Sequence, residues 1–157
     1  MLIESVSKLL TDNKLTIATA ESCTGGLLGH MLTSISGSSA YYDRGIISYT
    51  NEAKQELLGV PKDLLEQYGA VSEQVAASMA KGVRKLAQTD LGVSTTGIAG
   101  PTGETIDKPV GLVYIGVSSK EKTLVKRFEF QGSRLENKDL TCIEALNLIK
   151  QMIQQNL

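Results

Sequence analysis

The run AESCTGG at residues 20–26 sets three nucleophilic side chains, Ser22, Cys23 and Thr24, directly ahead of a glycine pair. Three kinds of corner fit it. Glycines at a helix start let backbone N–H groups cradle a phosphate. The same N–H groups, those of Thr24, Gly25 and Gly26, can instead form an oxyanion hole beside an exposed nucleophile. Or Gly25 and Gly26 only permit a tight turn and close helix–strand packing. The spacing matches neither G-x-x-x-x-G-K-[ST] nor G-x-G-x-x-G, which weakens the phosphate reading.

A serine or cysteine nucleophile needs a base. The single histidine, His30, falls well inside the next helical segment and is a poor candidate. Lysine is the alternative, since a lysine with a lowered pKa can take a serine proton. Lys54 stands in the first turn of a helical segment, where the positive dipole end disfavours the ammonium form. Tyr49, five residues earlier, is placed to relay the proton or orient the amine. The competing reading of Lys54 is an ordinary solvated surface lysine. Adjacent residues at a strand end point opposite ways, so only one of Ser22 and Cys23 faces the cleft. With lysine as partner, Ser22 is the better nucleophile and Cys23 becomes a small buried packer.

Elements must bring these residues together. Residues 1–13 have helical apolar spacing, with Ile3, Val6, Leu9 and Leu10. A buried strand is expected over 14–21 and a helix over 24–35, so AESCTGG lies at a strand-to-helix corner. Residues 37–44 read as a polar loop and 45–50 as a second strand. Asn51 is expected to cap a helix closed by Gly59, and Pro61 to open another ending near Gly69. Ser72 caps a long helix, 73–88, whose apolar face is Val75, Ala76, Met79, Val83, Leu86 and Ala87. A third strand spans 91–97, followed by the Gly/Pro-rich loop 98–109. Strands at 110–119 and 122–131 are joined tightly enough to be antiparallel. Ser133 and Glu136 have capping-box spacing at the start of a last helix, with Leu140, Ile143, Leu146, Ile149 and Ile153 apolar.

Helices between the first three strands imply parallel pairing. The expected class is therefore a three-layer α/β/α sandwich with a mixed, mostly parallel sheet, in a single domain over 1–157. In such sheets ligands bind beyond the carboxyl ends of the strands. Segments 21–26, 49–54 and 96–103 should then gather at one edge, joined by 131–134 if the strand before it runs the same way. The loop within 95–103 can wall a pocket, and Arg134 either pairs a phosphate through its fork or is exposed charge.

Sixteen basic and seventeen acidic residues leave a net charge of −1, so no basic field drives nucleic-acid binding. Two cysteines make neither a disulfide framework nor a metal site. With no signal-peptide pattern, they point to a cytoplasmic protein. No apolar run reaches the roughly 18 residues of a membrane span.

AESCTGG, GSSAYY, RGIISYTNEAK, GAVSEQVA, TGIAGPTG and KPVGLVYIGV occur in an order that resembles the CinA C-terminal domain family, over about residues 5–153. The resemblance implies an α/β/α fold, homo-oligomers, no metal or other cofactor, and a Ser-Lys amidase acting on a small nucleotide. The expected reaction is deamidation of nicotinamide mononucleotide to nicotinic acid mononucleotide and ammonia. By position, Ser22 resembles the nucleophile, Lys54 the base and Tyr49 its helper. Thr24, Gly25, Gly26, Thr96, Gly97, Ala99 and Gly100 would shape the pocket, and Arg134 would meet the phosphate or the oxyanion. Thr96 stands where many relatives have serine, and PTGETIDKP replaces a commoner PGG or PDGG loop. The chain reads as a stand-alone version of a unit that longer CinA proteins carry behind another domain. A non-catalytic nucleotide-binding module on the same fold is the alternative, and a structural or partner-binding role is a third reading.

Overall fold

The computed structural model describes residues 1–155. Along the chain run α1 (Leu2–Asp12), β1 (Ile17–Glu21), α2 (Leu27–Leu32), a 3₁₀ turn (Ser38–Ala40), β2 (Tyr42–Ile47), α3 (Asn51–Leu58), α4 (Lys62–Tyr68), α5 (Glu73–Ala87), β3 (Leu91–Gly97), β4 (Leu112–Ser118), β5 (Thr123–Glu129) and α6 (Arg134–Gln154). The strands form one sheet in the order β2-β1-β3-β4-β5. β1 pairs in parallel with β2 and β3, while β4 pairs antiparallel with β3 and β5. Four strands thus point the same way and β4 is reversed. No helix among the described residues is long and apolar enough to cross a membrane.

Two cores flank the sheet. Val6, Leu10, Leu28, Leu32, Leu146 and Ile149 pack α1, α2 and α6 on Ile17, Val93 and Ile115. Leu58, Leu65, Val75, Met79 and Val83 pack α3, α4 and α5 on Ala18 and Ala20. Strand alternation explains the split: odd residues of β1 face α1, α2 and α6, and even ones face α3–α5. The second face is built from small residues, so α5 lies close to the sheet. A Cβ at Gly92 would sit 2.2 Å from the Ala80 carbonyl of α5. Ser94 answers the same helix by donating from Oγ to the Ala76 carbonyl, 2.6 Å.

Some elements differ from the sequence reading. β2 begins at Tyr42, inside the segment expected to be loop. It is an edge strand, and its exposed Asp43 and Arg44 are what an edge tolerates. α2 stops at Leu32, because Thr33 Oγ1 donates to the Gly29 and His30 carbonyls and Ser34 Oγ to that of Met31. Thr50, not Asn51, caps α3, its hydroxyl accepting the Ala53 N–H at 3.0 Å. Pro61 is the N-cap of α4 rather than its first helical residue. Leu86 is half exposed, and Leu140 and Ile143 lie at the margin of the buried stripe of α6. The caps at Ser72 and Ser133, the latter a full capping box with Glu136, form as expected.

The close approach of α5 is testable. Gly92→Ala should lower stability by about 1–3 kcal/mol through overpacking against the Ala80 carbonyl. An unchanged urea midpoint would show that α5 does not need this closeness.

Candidate active site

The strand order makes β1 a branching point. The chain leaves β1 through α2 to reach β2, then returns through α3–α5 to β3 on the other side. Crevices beyond the carboxyl ends of strands at such a switch point hold ligands. A cavity of about 250 Å³ lies there, lined by Ser22, Tyr49, Lys54, Thr96, Ala99 and Arg134 among others. All four segments expected at one edge contribute to it, as do Ala70 and Val71 from the entry to α5. Larger open grooves border α5, but their linings carry neither Ser22 nor Lys54.

Beyond β1 the alternation continues for one residue, and Ser22 N–H donates to the Thr95 carbonyl at 3.0 Å. Ser22 therefore faces α3. Lys54, the fourth residue of that helix, reaches it: Nζ donates to Ser22 Oγ at 3.0 Å. Two further bonds hold the amine, to the carbonyls of Ser48 at 2.8 Å and Tyr49 at 3.4 Å. Lys54 is 1% exposed and has no carboxylate partner among the described ion pairs. Burial lowers its pKa from 10.5 to about 8, with Cys23 acting weakly the other way. Desolvation is thus the leading cause, where sequence reasoning named the helix dipole.

Cys23 turns into the core of α1, α2 and α6 and is buried. Burial pushes its thiol up to about 12, partly offset by a hydrogen bond with Thr95. It stays a neutral thiol at ordinary pH. His30 is exposed on α2.

Tyr49 is 60% exposed. Its hydroxyl accepts from Arg134 Nη2 at 3.2 Å, so its carbonyl rather than its phenol meets Lys54. Arg134, first residue of α6, also donates from Nη1 to the Gly100 carbonyl of the same chain at 2.8 Å. Asn137 braces the same loop, donating from Nδ2 to the Ala99 carbonyl and accepting the Gly132 N–H, both at 2.9 Å. Thr96 donates its hydroxyl to the Ala70 carbonyl at 2.9 Å, and with Gly97 and Ala99 it lines the cavity.

Thr24, Gly25, Gly26 and Gly100 stand behind the cavity rather than in its lining. The Thr24 hydroxyl donates to Glu21 Oε1 at 2.5 Å and shares a bond with the Thr95 hydroxyl at 2.8 Å. Gly25 N–H returns to the Ser22 carbonyl at 3.2 Å, and Gly26 N–H donates to Glu21 Oε1 at 3.1 Å. Two of the three N–H groups expected to form an oxyanion hole are therefore occupied. Those of Cys23 and Thr24 have no acceptor on another residue among the described hydrogen bonds. Sequence reasoning missed Glu21 and Asn137. Both are buried polar residues, a signal that appears only once burial is known.

A three-layer α/β/α domain with a buried lysine on a serine at its carboxyl edge is the class of protein defined so far. The model of the CinA C-terminal domain matches residues 1–153, and the chain belongs to that family. It is 51% identical over 150 residues to a CinA-like protein of Syntrophus aciditrophicus, covering 95% of this chain and 36% of that one. The chain thus spans about a third of the length of the curated relatives it matches. Among solved structures it is similar to the competence/damage inducible protein CihA of Agrobacterium tumefaciens, 39% identical with a TM-score of 0.94 over 96% of this chain and 93% of that one. A CinA superfamily protein of Escherichia coli is 34% identical, with a TM-score of 0.93 over 96% and 88%.

The lowered pKa of Lys54 has a signed consequence for stability. Between pH 8 and 10.5 the unfolded chain holds the Lys54 proton more tightly than the folded one. Stability from this group therefore rises across that window and is flat below it. The stability difference between the parent and Lys54→Met, followed by urea titration at several pH values, should shift in the parent's favour from pH 8 to 10.5. A difference constant over that window would mean an unperturbed lysine.

Proposed function

We propose that this domain is an amidohydrolase that converts nicotinamide mononucleotide to nicotinic acid mononucleotide and ammonia through a Ser22–Lys54 pair. The observation that carries the reading is the 3.0 Å contact between Ser22 Oγ and an amine whose burial brings it near neutrality. A neutral lysine amine has two N–H donors and one lone pair. The carbonyls of Ser48 and Tyr49 take the two donors, which leaves the lone pair for the Ser22 hydroxyl proton. Protonation then needs no movement of heavy atoms, because the ammonium donates to the same three oxygens.

In the forward reaction Ser22 Oγ bonds to the carboxamide carbon as its proton passes to Lys54 Nζ. The carbonyl oxygen takes the negative charge against the N–H groups of Cys23 and Thr24. Collapse breaks the C–N bond, Lys54 returns the proton to the departing nitrogen, and ammonia leaves. Water then attacks the acyl-serine as its proton passes to Lys54, the acyl C–O bond to Ser22 breaks, and Lys54 returns the proton to Ser22 Oγ as the carboxylic acid leaves. A cavity of about 250 Å³ suits a pyridine ring carrying the amide, with ribose and phosphate towards the rim. There Arg134, held by Gly100 and Tyr49, offers its remaining donors to the phosphate. Tyr49 shapes this rim and orients Arg134.

Purified protein incubated with nicotinamide mononucleotide should release ammonia. Ser22→Ala should lower kcat by about 10³-fold or more. The parent kcat/KM should rise with pH along an acid limb centred near 8. Tight nucleotide binding without turnover would instead favour a binding module, and neither binding nor turnover would leave a structural role.

Arg134→Ala should raise KM for the nucleotide roughly 10–100-fold, the scale of a lost charge-assisted bond. KM for the corresponding nucleoside should move much less. Equal effects on both would separate Arg134 from the phosphate.

A further inference from the structure

Glu21 is the residue before the serine, and it is 2% exposed. A carboxylate that deep is costly unless its oxygens are satisfied. Here they are: Oε1 accepts from Thr24 Oγ1 at 2.5 Å, Gly26 N–H at 3.1 Å and Leu28 N–H at 2.9 Å, and Oε2 accepts from Gly29 N–H at 2.9 Å. The three N–H groups are donors that the first turn of α2 would otherwise leave orphaned. The carboxylate thus fills the helix start from beneath, on the face opposite the Ser22 hydroxyl.

The same residue reaches the amine through its main chain. The Glu21 carbonyl accepts Ser48 N–H at 2.8 Å, and the Ser48 carbonyl accepts from Lys54 Nζ at 2.8 Å. One end of Glu21 therefore fixes the turn from Ser22 to Gly26, and the other fixes the strand end that carries a lysine acceptor. With Gly26, Leu28 and Gly29 N–H occupied and Gly25 N–H returned to Ser22, the donors left at the corner are those of Cys23 and Thr24.

Resting on the serine–lysine reading above, we propose that Glu21 is a positioning residue for Ser22: its carboxylate sets the aim of the nucleophile and of the two N–H groups beside it. The carboxylate does not touch substrate. Glu21→Gln keeps the shape but turns one acceptor into an amide donor facing an N–H group. The corner then loses at least one of its four anchors.

The test reads the serine itself, without assuming a substrate. A fluorophosphonate forms an Oγ–P bond with a reactive serine and breaks its P–F bond, as fluoride leaves and the serine proton passes to Lys54. The rate of this modification, followed by intact mass, is compared in the parent, Glu21→Gln, Thr24→Val and Leu32→Ala. Leu32 is a buried packer of α2 away from the carboxylate, and its truncation controls for lost stability. Glu21→Gln should slow modification at least tenfold and Thr24→Val by a smaller factor. Leu32→Ala should stay within twofold despite an equal or larger fall in Tm. A Glu21→Gln rate within twofold of the parent would overturn the proposal, as would a Leu32→Ala rate that falls in step with Tm. If Glu21→Gln does not fold, Thr24→Val decides, and a parent-like rate there overturns it. A parent whose Ser22 is never modified removes the nucleophile reading and this inference together, an outcome distinct from a labelled parent with an insensitive Glu21→Gln.

Discussion

The structure turns on one amine taken out of water. Lys54 Nζ lies among the Ser22 hydroxyl and two carbonyls, with no carboxylate partner among the described ion pairs. An opposite charge there would restore the ammonium and raise the pKa, and the lysine would be only a buried ion pair. Neutral carbonyls satisfy its N–H groups without favouring the charge to the same degree. Burial then decides, and it lowers the pKa. The cost of removing an amine from water is borne by the core that packs α3, α4 and α5 on β1.

Strand alternation converts that local condition into a site. Glu21, Ser22 and Cys23 are consecutive, yet each meets different surroundings. Glu21 points to α2 and its N–H groups, Ser22 to α3 and its lysine, and Cys23 to the core with α6. A one-residue slip of β1 would place the carboxylate on the lysine and the serine beneath α2. The pairings of β1 with both β2 and β3, continued by Ser22 N–H to Thr95, exclude that slip.

Much of this was legible before coordinates. The limits of β3, the capping box at Ser133 and the cap at Ser72 follow from local chemistry and matched closely. The convergence of the first three loop segments followed from the parallel order of their strands, and the fourth joins them because β5 runs the same way. What escaped was set by tertiary context. Tyr42 to Arg44 look like loop because charges there are exposed, but an edge strand carries charges for the same reason. Thr50 and Asn51 are both good caps, and only backbone geometry chooses between them. The Tyr49 phenol was assigned to the lysine by sequence distance. In space Arg134, 85 residues further on, takes it instead.

The choice between serine and thiol shows why composition alone misleads. Cysteine is the more reactive atom type in general, and Cys23 is adjacent to Ser22. A thiol must ionise to act, and burial pushes its pKa up to about 12. Serine does not ionise first; it needs only a base in contact as the new bond forms. The same loss of water therefore has opposite effects on the two neighbours. It brings the Lys54 amine towards neutrality beside the hydroxyl and holds the thiol in its inert form. Reactivity at this corner belongs to the environment each side chain faces, and the strand assigns those faces.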